Sequence, residues 1–96
     1  MMEDMAERWI EVRNHPEYEV SNLGQVRRAK DGRLLKQSPN VRNGAMRVAL
    51  GREKYYVHRL VANSFYDGDT NCLVRHLDGN IRNNTLPNLV KVPHKL

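Results

Sequence analysis

The chain has 96 residues, a formal net charge of +5 and a sequence pI near 9.7, and 40% of its residues are apolar. This length allows one compact domain, or two very small modules that share a core. A single cysteine excludes an internal disulfide, and no apolar run is long enough to cross a membrane. Because the acidic N-terminus also lacks a signal-peptide pattern, we expect a cytoplasmic protein.

The basic residues are concentrated in the middle of the chain. Residues 25–65 contain ten basic and two acidic residues, whereas residues 1–24 contain two basic and six acidic residues. A segregated basic segment suits a surface that faces phosphates, because each Lys or Arg that displaces a condensed counterion adds salt-sensitive affinity. Charge alone leaves a solvated basic face without a partner as an equal alternative.

The first 36 residues predict a small antiparallel meander. Strands are expected at residues 9–12, 18–20, 25–28 and 33–36, where apolar residues occur in short runs or alternate with charged ones. Turn signals separate these strands at residues 14–16, 21–24 and 30–32.

The second half of the chain predicts a mixed pattern. After a loop at residues 38–44, residues 46–50 and 54–57 form a second hairpin, and apolar spacing predicts a helix over about residues 58–65. A short strand at 71–76 is followed by a polar loop at 77–88 and a final strand at 89–92.

Three stretches of sequence carry a family resemblance. They are Tyr18-Glu19-Val20-Ser21-Asn22 with Gly24-Gln25-Val26-Arg27, then Val57-His58-Arg59-Leu60-Val61-Ala62 with Phe65, and then Arg75-His76-Leu77-Asp78-Gly79-Asn80 with Asn83, Asn84, Asn88 and Leu89. In this order and spacing they resemble the phage- and intron-encoded HNH homing endonucleases that carry an N-terminal DNA-binding module of the NUMOD type. The resemblance extends from about residue 9 to residue 92.

The resemblance implies an α+β fold with two modules. Residues 8–50 would form a NUMOD-like antiparallel β module that binds DNA. Residues 51–96 would form a truncated ββα-metal module, of the HNH or His-Me finger type, that lacks its final helix.

The resemblance also implies a nuclease site. In that site a histidine acts as general base toward the attacking water, and one divalent metal, Mg or Mn, stabilises the leaving oxygen. His76 matches the histidine. Asn88 matches the central asparagine that braces the loop so that the imidazole faces the substrate, and residues 78–80, 83 and 84 match the rest of this loop.

Double-stranded DNA is the partner that the resemblance implies, with the N-terminal sheet and its following loop lying along it. The basic residues that match or extend this surface are Arg27, Arg28, Lys30, Arg33, Lys36, Arg42, Arg47, Arg52, Lys54 and Arg59.

Two departures from the family argue against full nuclease activity. Arg75 stands directly before the histidine, where many family members have an acidic or amide residue that helps to bind the metal, and a cation repels a metal. The remaining ligand comes from a helix after the last strand, and alignment places it at the first position beyond Leu96. The metal ligands of this chain therefore stay unassigned, with His94 as a weaker substitute.

We therefore expect a phage-related DNA-binding protein of HNH endonuclease ancestry with reduced or absent nicking activity. It would need no cofactor unless activity survives, in which case it would use one divalent metal. One alternative is an active nicking endonuclease on double-stranded DNA. Another is a phage-encoded inhibitor or accessory protein that binds a protein partner. In each case the protein would act inside a phage-infected or bacterial host cell, away from the membrane.

Overall fold

A computed structural model describes residues 6–93 of the chain. The elements in that range are β1 (Trp9–Val12), β2 (His15–Ser21), β3 (Val26–Arg28), β4 (Ser38–Pro39), β5 (Met46–Leu50), β6 (Glu53–Tyr56), α1 (Val57–Phe65), β7 (Leu73–His76), a 3₁₀ turn (Leu86–Asn88) and β8 (Leu89–Val92). The strands pair antiparallel in three small sheets, β1-β2-β3, β4-β5-β6 and β7-β8. The predicted α+β fold is confirmed.

The turn between β1 and β2 is tighter than the sequence predicts. Asn14, at a φ of 68°, lies in the left-handed region that asparagine tolerates, so β2 already begins at His15. The predicted end of this turn, at residue 16, is therefore wrong, because residues 15 and 16 belong to β2. Pro16 is accommodated within β2 because the β1–β2 register shifts at this point, which takes its missing N–H out of the ladder.

Two further strand boundaries depend on pairing and differ from the prediction. Residues 33–36 form no strand, since Leu34 makes only an isolated bridge to Arg27 and is 53% exposed. Conversely, part of the predicted loop at 38–44 forms β4, where Ser38 and Pro39 lie opposite Arg47 and Met46. Neither segment has an alternating apolar pattern, so the strand that lies next to each segment determines its conformation.

The middle of the chain follows the prediction closely. β5 and β6 form a hairpin, and α1 starts directly after it with Val57, Leu60 and Val61 buried as their spacing predicts. Within residues 6–93 no helix is long and apolar enough to cross a membrane.

One cluster of buried apolar residues joins all three sheets to α1. Its members are Val12, Val20, Val26, Val48, Leu50, Val57, Leu60, Val61 and Leu89. The segments 8–50 and 51–96 both contribute to this cluster, so they share a single core. Leu89 attaches the C-terminal hairpin to this core, and its strand partner is His76. The core therefore fixes the base of the loop that carries the predicted catalytic residues.

Candidate active site and nucleic-acid interface

The hairpin β7–β8 presents His76 at the start of a polar loop, which we call the histidine loop (residues 77–88). His76 lies directly opposite Leu89, and opposite residues in an antiparallel pair project to the same face of the sheet. Because Leu89 is buried in the core, His76 also faces inward and is half-buried. The N–H of Leu77 donates to the carbonyl of Asn88 at 2.8 Å and closes the base of the loop.

Asp78 is the hydrogen-bonding centre of the histidine loop. Its Oδ1 accepts from the N–H of Asn80 at 2.8 Å and from Nδ2 of Asn88 at 3.0 Å, and its Oδ2 accepts from Nδ2 of Asn83 at 2.9 Å. The hydrogen bond from Asn83, followed by those from Asn80 and Asn88, holds the pKa of Asp78 below its ordinary value. The exposed carboxylate therefore stays ionised and shapes the loop.

Asn88, at the end of the histidine loop, is hydrogen bonded to residues at its start and in its middle. Its Oδ1 accepts from the N–H of Asp78 at 3.0 Å, and its Nδ2 donates to the carbonyl of Asn83 at 2.8 Å as well as to the Asp78 carboxylate. These bonds satisfy backbone groups that an irregular loop would otherwise leave unpaired. Asn88 thus joins the two ends of the loop, whereas the catalytic function that the resemblance implies for it stays a prediction.

His76 has one ring nitrogen bound and one available. Nε2 lies 2.7 Å from Oδ1 of Asn84, which is only 6% exposed. An amide oxygen can only accept, so this contact fits the tautomer that carries its proton on Nε2 and leaves the lone pair on Nδ1. Among residues 6–93, the side-chain hydrogen bond of His76 is made by Nε2, and none is made by Nδ1. This is the arrangement that a general base requires.

A row of rings connects His76 to the second sheet. The His58 ring centroid lies 5.0 Å from that of His76 and 5.4 Å from that of Tyr56. Burial, followed by the charges of His76 and Arg59, lowers the pKa of His58 to about 4. His58 is thus neutral at pH 7.

The residues around His76 do not fit the divalent metal implied by the resemblance. Mg²⁺ prefers an octahedral set of oxygen ligands, and both oxygens of Asp78 already accept hydrogen bonds within the loop. Arg75 lies opposite Val90 on the exposed face of the hairpin, and its guanidinium offers no acceptor. Residues 6–93 contain no group of three His, Cys, Asp or Glu side chains that could hold a metal ion. His94 lies outside the described residues.

The ten predicted DNA-binding residues fall into two groups. Six have exposed side chains, and we call them together the basic surface: Lys30, Arg33, Lys36, Arg42, Arg52 and Lys54. The other four, Arg27, Arg28, Arg47 and Arg59, are half-buried. Arg27 bonds to Glu19 at 2.7 Å and lies over the ring of Trp9, while Arg28 pairs with Asp31.

Arg59 and Arg47 have environments that the sequence does not reveal. Arg59 donates to the carbonyls of Cys72 and Thr70 at 2.9 and 2.7 Å, so its guanidinium holds the connection between α1 and β7. Nε of Arg47 is buried without a partner among the described residues. Arg47 faces Tyr56 across the β5–β6 pair, so both side chains belong to the sheet face that continues through the ring row to His76.

Two contacts at the site escape prediction from the sequence. Asn84 was expected only to shape the turn, yet it binds the histidine directly. Gly24 packs against Asn84 although 60 residues separate them, since a Cβ at Gly24 would lie 3.0 Å from the carbonyl oxygen of Asn84. The turn signal at Gly24 and the run of asparagines are visible in the sequence, but their contact is not.

Comparisons with known proteins agree with the class of protein that the histidine loop and the basic antiparallel sheets define. The model of the NUMOD4 motif matches residues 7–51. Residues 7–51 match this motif and the chain is similar to HNH homing endonucleases, which confirms the resemblance predicted from the sequence.

The matching proteins include one of phage origin and one of viral origin. The DNA endonuclease I-HmuI of Bacillus phage SP01 is 39% identical in an alignment 95 residues long, which covers 92% of this chain and 53% of that protein. An uncharacterized HNH endonuclease of Acanthamoeba polyphaga mimivirus is 37% identical in an alignment 90 residues long, which covers 88% of this chain and 27% of that protein. The chain thus spans about half and about a quarter of the length of these relatives.

A solved structure has the same fold. The structure titled "DNA binding and cleavage by the HNH homing endonuclease I-HmuI" superposes with a TM-score of 0.79 at 34% identity. The superposition covers 92% of this chain and 53% of that one.

Proposed function

We propose that this chain binds double-stranded DNA and has reduced or absent nicking activity, as a protein of HNH endonuclease ancestry. The observation that carries the proposal is the basic surface, six exposed Lys and Arg side chains between residues 30 and 54. The NUMOD4 match and the similarity to I-HmuI, whose structure is described as one of DNA binding and cleavage, support the same partner.

The basic surface would bind mainly to phosphates. Exposed charges on short strands and loops reach the backbone of DNA and fix orientation without reading sequence by themselves. Each neutralised phosphate contributes about −0.9 to the slope of log K against log salt, so six contacts give a slope of about −5. Fluorescence anisotropy with a labelled duplex at several salt concentrations tests this value.

The outcome of that titration separates two classes of function. A steep slope supports phosphate-dominated DNA binding, and a flat slope contradicts it. If no duplex binding is detected even at low salt, the proposal fails and the alternative of an inhibitor or accessory protein with an acidic protein partner takes its place.

His76 is the residue proposed to retain the general-base position. Its Nδ1 would accept the proton of a water that attacks the phosphorus, while Asn88 holds the loop in shape. Nicking would be weak because Arg75 adds a positive charge beside the position of a metal ligand and because the Asp78 carboxylate is committed to the loop.

A plasmid assay tests this part of the proposal. Supercoiled plasmid incubated with the chain and Mg²⁺ or Mn²⁺ is expected to stay supercoiled, with His76→Ala as the matched control. Robust nicking that disappears in His76→Ala would overturn the proposed loss of activity and establish the active nicking endonuclease. The available Nδ1 of His76 is the observation that favours this second candidate.

We place the protein in the cytoplasm of a bacterial or phage-infected cell. DNA as the proposed partner supports this location, and the phage origin of I-HmuI supports a relation to phage. Fractionation of cells that express the chain at native level tests the location, because recovery outside the cytoplasm would contradict it.

A further inference from the structure

We propose that Asn84 is a positioning residue for His76 and that the turn at residues 21–24, which lies within the NUMOD4 match, holds Asn84 in place. The DNA-binding part of the chain would then set the orientation of the histidine. This inference rests on the proposed function of His76 and identifies a residue that orients it.

The contact between Asn84 and His76 is short and protected. Oδ1 of Asn84 lies 2.7 Å from Nε2 of His76, and Asn84 is one of the few polar residues buried in the described part of the chain. Burial on this side prevents water from replacing the amide as acceptor. The amide therefore keeps the proton on Nε2 and directs Nδ1 away from the loop.

The 21–24 turn supports Asn84 from behind. Gly24 has a φ of +88°, and a Cβ there would lie 3.0 Å from the carbonyl oxygen and 3.1 Å from Cβ of Asn84. The neighbouring backbone is joined directly, because the N–H of Leu86 donates to the carbonyl of Asn22 at 2.8 Å. Glycine is needed at position 24 both for the backbone angle and for this close approach.

The turn is itself rigidly held. Oγ of Ser21 accepts from the N–H groups of Leu23 and Gln25, and the Asn22 amide binds the backbone of Arg8 and Ala6. Ser21 and Asn22 are both buried. Because Oγ of Ser21 and both ends of the Asn22 amide are hydrogen bonded, the turn is a fixed support and transmits its position to Asn84.

The 21–24 turn connects the basic surface to the residue that binds His76. The 21–24 turn joins β2 to β3, and β3 leads into the basic surface. The same turn touches the residue that binds His76. A chain that docks its basic surface on DNA thereby carries the imidazole in a set orientation relative to that surface.

The test is an NMR measurement on the ¹⁵N-labelled chain at neutral pH. Correlations within the imidazole of His76 are expected to place the proton on Nε2, and this proton should exchange slowly with water. In Asn84→Leu, which has a similar volume but no acceptor, the protected signal should be lost, with exchange at least about tenfold faster. In Asn84→Asp the signal should persist, since a carboxylate also accepts.

Two further variants serve as controls. Asn80→Ala alters the same loop, but the Asn80 side chain accepts only from the N–H of Arg82, so the Nε2–H signal should stay unchanged. Gly24→Ala should weaken the signal, because its Cβ displaces Asn84. A Cβ at position 32 would have no atom within 4 Å, so Gly32→Ala should leave the signal unchanged.

Either of two results overturns the inference. One is a wild-type His76 that carries its proton on Nδ1 or exchanges the Nε2 proton freely, which needs no variant to be observed. The other is a folded Asn84→Leu with the protected signal intact. DNA affinity is measured separately by anisotropy, so a chain without DNA binding but with the protected proton would refute the proposed function and leave the positioning by Asn84 standing.

Discussion

The histidine loop and the basic surface are both polar and largely exposed, yet their side chains are used in opposite ways. In the histidine loop, Asp78, Asn83 and Asn88 form hydrogen bonds with one another and with the loop backbone. On the basic surface, Lys and Arg side chains extend into solvent. The loop therefore has a fixed shape, whereas the basic surface can adapt to a partner.

This contrast assigns the orientation of the histidine to the loop and the affinity for DNA to the basic surface. A general base must be held in one orientation, and internal hydrogen bonds provide that orientation without a bound partner. Phosphate contacts gain from charge more than from exact placement, so long flexible cations are sufficient. Changes in the loop should thus affect stability and orientation, and changes on the basic surface should affect DNA binding alone.

The largest effect is expected from removing charge on the basic surface. The triple variant Arg33→Ala, Lys36→Ala and Arg42→Ala should weaken duplex binding by about 100-fold at low salt and reduce the salt slope by about 3. Its free energy of unfolding should change by less than about 0.5 kcal/mol per substitution, as is usual for exposed sites. Anisotropy titrations and urea unfolding measure the two effects.

Arg82→Ala, in the histidine loop, is the matched control for that variant. It removes one exposed charge outside the basic surface and should reduce the slope by at most about 1. An equal loss of affinity in both variants would mean that the two regions do not differ as described.

The next largest effect is expected from Asn88→Ala. This change removes three hydrogen bonds of the loop brace and should lower the free energy of unfolding by about 2–3 kcal/mol, at about 1 kcal/mol for each bond. Asn80→Ala removes a single side-chain bond and should lower it by about 1 kcal/mol or less. Urea unfolding of both variants measures these losses. Equal losses of unfolding free energy would contradict the loop-brace function of Asn88.

The smallest effect concerns acid pH. Because burial lowers the pKa of His58 from 6.5 to about 4, the unfolded chain binds more protons than the folded chain between these values. The stability contributed by neutral His58 is complete above pH 6.5 and is lost as pH falls toward 4. The loss should be about 1–2 kcal/mol after allowance for solvent screening of the partly exposed ring.

His58→Gln provides the comparison. Its stability should fall less steeply between pH 6.5 and 4, as measured by urea unfolding at several pH values. The lowered pKa of Asp78 acts in a different range, because its contribution is present above pH 3.8 and is lost only below that value. An unchanged slope in His58→Gln would show that another group is responsible.

Local sequence patterns correctly predicted the elements whose conformation depends on residues nearby in the sequence. The strand at 46–50, the helix at about 58–65 and the strand at 89–92 agree with the structure to within a residue. They agree because alternation and helical spacing reflect which face is buried. The predictions for residues 33–36 and 38–39 were wrong because these segments have no such pattern, and strand pairing determines their structure.

The site shows the same division. The family motif singles out His76 and Asn88, and the structure brings them to the two ends of one loop. Nothing in the local sequence indicates that Arg59 would bind the carbonyls of Thr70 and Cys72. The catalytic assignment of His76 and Asn88, the division into residues 8–50 and 51–96, and the DNA contacts of individual basic residues stay predictions.

By itself, the sequence determined the α+β fold, the resemblance to HNH homing endonucleases and the segment in which positive charge is concentrated. These properties depend on residue type and on spacing over a few positions, which the chain carries explicitly. Only the tertiary structure decided which arginines are free for a partner and which ring nitrogen of His76 is available. Those properties depend on contacts such as Gly24 with Asn84, which form only when one core brings distant segments together.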